Sequence, residues 1–216
     1  MRTLAAWVIG VALAVASAKA VAAQGAALAA QESASDLATK AMRECEAGRE
    51  LKSRVDRKAR FEAGQAIAER AVALDDNSAA AHFSLFCNMG ELMRVDGESL
   101  RSVFALRRMM AELDRTLELD PGHVDAMASK GTLLIRLPRI LGGDAEKGEA
   151  MLRDVIRLDP SAFNSRLTLA RACNARGDHE EAVAFATRAL QIAKEQGKPD
   201  KVAEAQTCLA ELHSAR

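Results

Sequence analysis

From about Ser35 to the end of the chain, small and apolar residues recur at three- and four-residue spacing, with charged residues between them. Ala182, Ala186 and Ala189 form one such stripe, and Val202, Ala205, Leu209 and Leu212 form another. That period is helical, and no clusters of β-branched or aromatic residues suggest strands. Ala, Leu, Glu and Arg dominate, and no proline occurs before Pro121. The pattern predicts an all-α chain of helices joined by short loops.

The first residues break the pattern. After Met1-Arg2 the chain is apolar from Leu4 to Ala18 apart from Gly10 and Ser17, then reaches Lys19 and the small residues Val21-Ala22-Ala23. A basic start, a short apolar run and a small-x-small site predict a secretory signal peptide over residues 1–23, cleaved after Ala23 or, alternatively, after Ala20. The run is shorter than the roughly 20 apolar residues a membrane span needs. The expectation is an exported chain, periplasmic or secreted, whose mature form does not insert in a membrane. Residues 24–34, rich in Ala, Gln, Gly and Ser, read as a tether, leaving 35–216 as one domain.

Three helix-end phrases recur in that domain: Ala71-Val-Ala-Leu-Asp-Asp-Asn77, Thr116-Leu-Glu-Leu-Asp-Pro-Gly122 and Val155-Ile-Arg-Leu-Asp-Pro-Ser161. Proline at such a place cannot extend the helix and pre-sets the turn into the next one. Asp76 and Pro121 are 45 residues apart, Pro121 and Pro160 are 39 apart, and both intervals fit a unit of about 34 residues with a lengthened loop. Small residues stand at expected helix crossings: Gly64, Ala68 and Ala71; Gly131 and Gly148; Ala182, Ala186 and Ala189. The unit ending at Pro121 instead carries the bulkier Met109 and Thr116.

These residues resemble the tetratricopeptide repeat (TPR). The resemblance implies a right-handed α-solenoid of about four helix pairs, over residues 37–76, 79–121, 124–160 and 163–195, closed by a capping helix at 199–213. Neighbouring pairs are expected to bury a continuous apolar seam. Leu137-Pro-Arg-Ile-Leu-Gly-Gly-Asp144, followed by Glu146-Lys147, is similar to an insertion in exported bacterial repeat proteins, including the periplasmic component associated with TRAP-type transporters. In that loop Pro138 is expected to end one helix, Gly142-Gly143 to allow positive φ, and Asp144 to cap the next helix. The loop is either a well-built turn or a rim that touches ligand.

In the family, the first helix of each pair lines a concave groove that meets the partner. The matching positions here are Phe83 and Cys87, then Asp125, Ala128, Thr132 and Arg136, then Asn164, Leu167, Arg171 and Asn174. Lys130 occupies a position usually held by leucine, and either snorkels to solvent or makes a charged contact in the groove. The implied function is a non-enzymatic scaffold or adaptor that binds a protein or peptide in the cell envelope. A transporter-associated small-ligand component and an enzyme are the alternatives.

Composition narrows this further. Without Arg2 and Lys19, 28 basic residues face 30 acidic ones, so the mature chain has no electrostatic footprint for nucleic acid. The only Trp is Trp7 and there is no Tyr. No phosphate loop, strained nucleophilic serine or paired metal-ligand histidines occur, and no cofactor or metal is expected. His179, beside Glu180 and Glu181, reads as a solvated turn histidine. Cys45, Cys87, Cys173 and Cys208 lack Cys-x-x-Cys spacing. Each pair, Cys45 with Cys87 and Cys173 with Cys208, is about one repeat apart, so two disulfides in an oxidising compartment and four buried thiols are both open readings. The oligomeric state is not fixed by the sequence.

Overall fold

The computed structural model describes residues 32–97 and 100–214. The predicted signal segment and most of the tether lie outside the described residues. Among the described residues there are nine α-helices and no strand: α1 (Ala34–Glu50), α2 (Arg54–Leu74), α3 (Ala79–Asp96), α4 (Leu100–Leu119), α5 (Val124–Arg136), α6 (Ala145–Leu158), α7 (Phe163–Ala175), α8 (His179–Glu195) and α9 (Pro199–Ser214). Consecutive helices pair as α1/α2, α3/α4, α5/α6 and α7/α8, and α9 packs on α8. The architecture is the all-α TPR-like solenoid that the sequence predicts.

Capping residues fix where each helix begins. The Ser33 hydroxyl accepts from the Asp36 amide at 3.1 Å while the Asp36 carboxylate accepts from the Ser33 amide at 3.2 Å, a capping box. Ser53, Ser78, Asp144 and Asp178 cap α2, α3, α6 and α8 through their side-chain oxygens. The three Leu-Asp phrases build one turn. The carboxylates of Asp75, Asp120 and Asp159 each accept from the amide two residues on, at 3.0, 3.1 and 2.8 Å. The turn is the same after α2, where no proline follows, so the aspartate supplies what all three share.

Small residues set the depth of the crossings. A Cβ on Gly148 would lie 2.6 Å from the Gly131 carbonyl oxygen, and one on Gly131 would lie 2.8 Å from Leu152. The backbones of α5 and α6 therefore approach as only glycine allows, burying Leu134, Leu152 and Val155. In the second pair the arrangement is reversed. Met109 on α4 is 4% exposed, and its methyl lies 3.3 Å from the place of a Gly90 Cβ on α3. The bulk missing from α3 is supplied by α4.

Buried apolar residues occur in every pair, with Leu113 on α4, Ala126 and Leu134 on α5, and Leu152 and Val155 on α6 lying between two larger clusters. Ala41, Ala68, Leu85, Met89 and Met109 lie in the first two pairs. Phe163, Leu167, Ala170, Cys173, Ala186, Ala189, Cys208 and Leu212 lie in the last pair and α9. Between them α4 touches α5 over a short stretch only, and α3 and α5 do not pack side by side among the described residues. The join is partly polar, made by a Lys130–Asp114 ion pair and by the Phe83 and His123 rings at 4.5 Å.

In the Leu137–Asp144 loop, α5 ends before Pro138, a 3-10 turn covers Arg139–Leu141, and the Asp144 side chain accepts from the Lys147 amide. Gly142 takes φ +88°. Gly143 does not have positive φ; it is glycine because a Cβ would collide with the Leu137 carbonyl oxygen.

Candidate functional site

The first helices α3, α5 and α7 carry the residues matched to the groove. Phe83 is half-buried on α3, its ring 4.5 Å from His123 and 5.9 Å from Phe86. His123 is placed there because it also caps α5, accepting from the Ala126 amide at 3.3 Å through Nδ1. Asp125 is exposed in the first turn of α5 and Arg136 is exposed in its last turn. Thr132, half-buried, donates its hydroxyl to the Ala128 carbonyl at 2.8 Å. On α7, Asn164 and Arg171 are exposed, and Arg171 stands 3.9 Å from Glu211 on α9. Asn174 lies 3.4 Å from the His179 ring. Phe83, His123 and Asp125 thus stand together where α3 meets the start of α5.

Three expected groove residues are elsewhere. Leu167 is 1% exposed in the core that α7 shares with α8 and α9. The end of the solenoid closes over that position, so its leucine is spent on packing. Lys130 is mostly covered: its side chain, 16% exposed, pairs with Asp114 on α4. Cys87 is buried and bonded to Cys45, the Cα atoms 6.5 Å apart. The second expected bridge does not form. Cys173 and Cys208 are buried, unpaired thiols, and the Cys173 thiol instead lies 3.2 Å from the Glu181 carboxylate.

Sequence reading missed two ionic clusters. Glu91, nearly fully buried, accepts from Arg49 at 2.8 Å and from Arg94 at 3.0 Å, with Arg57 at 3.9 Å. Arg49 and Glu91 each lie four residues beyond a cysteine of the disulfide, so bridge and ion pair are successive rungs between α1 and α3. That spacing is the readable signal, once the pairing is known. In the second cluster Arg153 grips Glu181 with two hydrogen bonds at 2.6 and 2.7 Å, and Arg176 bridges Glu181 and Glu149.

These clusters shape the available chemistry. The Arg153 hydrogen bonds hold the Glu181 carboxyl at about 2, well below the usual carboxylate range. Burial, reinforced by Glu181, pushes the Cys173 thiol up to about 11. A thiol so protonated at neutral pH is a poor nucleophile. Among the described residues no three His, Cys, Asp or Glu side chains gather as a metal cluster, and no helix is long and apolar enough to cross a membrane. His179 is another correction: it is half-buried, and its Nε2 is enclosed without a hydrogen-bond partner.

No family model matches the chain and no curated protein matches it. Solved structures do. TTC0263, a TPR protein of Thermus thermophilus, superposes with a TM-score of 0.55 at 17% identity, over 79% of this chain and 99% of that one. MamA of Desulfovibrio magneticus superposes with a TM-score of 0.49 at 14% identity, over 80% of this chain and 94% of that one. The likeness to TTC0263 identifies the fold as that of a tetratricopeptide-type solenoid of paired helices.

Proposed function

We propose that the chain is an exported scaffold that holds a protein or peptide partner against the face of its first helices and performs no chemistry of its own. Solenoids of stacked helix pairs present an extended inner surface by construction. The observation that carries the reading is a half-buried aromatic on a first helix, Phe83, beside His123, with Asp125 and Arg136 exposed at the two ends of α5. An aromatic anchor with polar side chains around it is the arrangement that binding faces favour. Export is supported by the signal-like first 23 residues and by the Cys45–Cys87 bridge, which suits an oxidising compartment.

A photo-crosslinking residue at Phe83 or Arg136, in the cell envelope of the source organism, tests both parts. A single partner band from Phe83, lost when Arg136→Glu is added, is the expected result. Phe104, 75% exposed on α4, is the control on the outer helices. Crosslinks from Phe104 but not from Phe83 refute the assignment of the face. Retention of the chain inside the cytoplasm refutes export.

A further inference from the structure

The two ionic clusters differ in their charge balance. Around Glu181, two arginines meet the carboxylates of Glu181 and Glu149, with Asp178 close by, so no positive charge is left over. Around Glu91, three arginines meet one carboxylate. Arg49 Nε and Arg94 Nη1 donate to the same oxygen, Oε1, and Arg57 Nη2 stands 3.9 Å from Oε2. Among the described residues no other carboxylate comes within ion-pair reach of these three. Neighbouring Lys58 and Arg60 have acids of their own, Asp96 and Glu44. Two formal positive charges therefore stand uncompensated at one place.

That surplus is held in position and open to solvent. The Cys45–Cys87 bridge ties α1 to α3 one turn before Arg49 and Glu91. The Arg57 guanidinium lies over the Phe61 ring, 5.8 Å from its centroid, and its Nε is buried without a hydrogen-bond partner, which leaves the Nη atoms to donate. Glu91 is covered, but the side chains of Arg49 and Arg94 are 47% and 73% exposed. The ends of α1 and α3 offset part of the charge on their last-turn arginines, whereas Arg57 is in the first turn of α2, where the helix adds positive potential.

We propose that Arg49, Arg57 and Arg94 bind a doubly charged oxyanion of the phosphate class, free or as a monoester on a larger ligand. The guanidinium fork matches phosphate oxygens. A dianion restores neutrality where a carboxylate would leave one charge over. Each arginine keeps an Nη nitrogen uncommitted among the described residues, so no existing contact has to break. Glu91 is a positioning residue: it gathers Arg49 and Arg94 onto one oxygen and leaves their outer nitrogens to the ligand. The site lies where α1 and α3 end, at the opposite end of α3 from Phe83, and does not depend on a partner there.

The test is calorimetric titration of the oxidised chain with inorganic phosphate, phenyl phosphate and acetate, at low ionic strength and about pH 8, where phosphate is doubly charged. Inorganic phosphate is expected to saturate at one ion per chain, and acetate to give no isotherm. Phenyl phosphate binding more tightly than the free ion identifies the ligand as a monoester; binding no more tightly identifies it as the free ion. Arg94→Gln and Arg57→Gln should each weaken binding by about tenfold with the helical circular dichroism unchanged. Arg94→Gln keeps the test sharp should Arg57→Gln fail to fold, since the Arg94 side chain is exposed. Arg157→Gln, on the exposed surface of α6, makes the same charge change away from the site and should bind as the parent does. Absence of a phosphate isotherm overturns the proposal. So does an equal isotherm with acetate, unchanged binding in Arg94→Gln, or an equal loss in Arg157→Gln.

Discussion

Gly64→Ala tests the packing of the first two pairs at its tightest point. A Cβ on Gly64 would sit 2.1 Å from the Asn88 side-chain oxygen and 2.5 Å from its Cγ. Asn88 is completely buried, and its amide donates at 2.9 Å to the carbonyls of both Ala41 and Ser84. It cannot retreat without breaking those bonds. The lost hydrogen bonds cost about 1 kcal/mol each and the overpacking about 1–3 kcal/mol. The better helix propensity of alanine returns about 1 kcal/mol. The net loss is about 3 kcal/mol, a fall in Tm of about 6–12 °C for a chain of this size. Adding Asn88→Ala removes the obstacle. The two carbonyls keep their intrahelical partners, so the double variant should recover much of the loss, and the cycle reads the clash directly. Thermal melts with the disulfide intact measure all four proteins. A Gly64→Ala variant as stable as the parent refutes the reasoning.

The disulfide, the Glu181 cluster and the buried Arg166 give four further expectations. Denatured without reductant, the chain should show two free thiols, those of Cys173 and Cys208; four would refute the Cys45–Cys87 pairing. Reducing a bridge that spans 42 residues removes about 4 kcal/mol by the chain-entropy relation, read as a lower urea midpoint. The Glu181 carboxyl titrates at about 2 in the fold against 4.5 ordinarily, so its contribution is complete above about pH 4.5 and is lost as pH falls toward 2. Glu181→Gln should therefore flatten the acid limb of urea midpoint against pH, and an unchanged limb refutes the assignment. Arg166 is 7% exposed with one hydrogen bond, to the Ala162 carbonyl, and burial, with Arg188 nearby, lowers its guanidinium below the ordinary value. Arg166→Met removes a buried cation that forms no ion pair among the described residues and should raise Tm; a lower Tm refutes that account.

Much of the fold was legible because its devices are local. A Leu-Asp turn, a serine just before a helix, and glycine or alanine every three or four positions act within a few residues, and sequence displays them. The site was less legible because its residues are assigned by what lies across from them. Leu167 occupies a family groove position, yet α8 and α9 turn that position into core. Cys173 and Cys208 have the spacing of a bridge, but the Cys173 thiol is engaged by Glu181. Glu91 became readable only through the cysteine pairing four residues before it, since its three arginines come from α1, α2 and α3 itself. His179 looked solvated beside two glutamates, yet in the fold its Nε2 is enclosed and the His213 ring of α9 stands 6.5 Å away.

The same distinction explains how the second and third pairs join. Met109 opposite Gly90 keeps α3 and α4 close by exchanging large for small across the crossing, so that pair is intact. The next interface has no such exchange. Lys130 stands where leucine is usual, and an ammonium so little exposed needs an anion, which Asp114 on α4 supplies. That pairing ties α5 to α4, the second helix of the preceding pair, and not to α3. Phe83 then lies between the cap of α5, His123, and the Phe86 ring of its own helix. One charged residue at one repeat position thus joins the second and third pairs, beside the contact of the Phe83 and His123 rings.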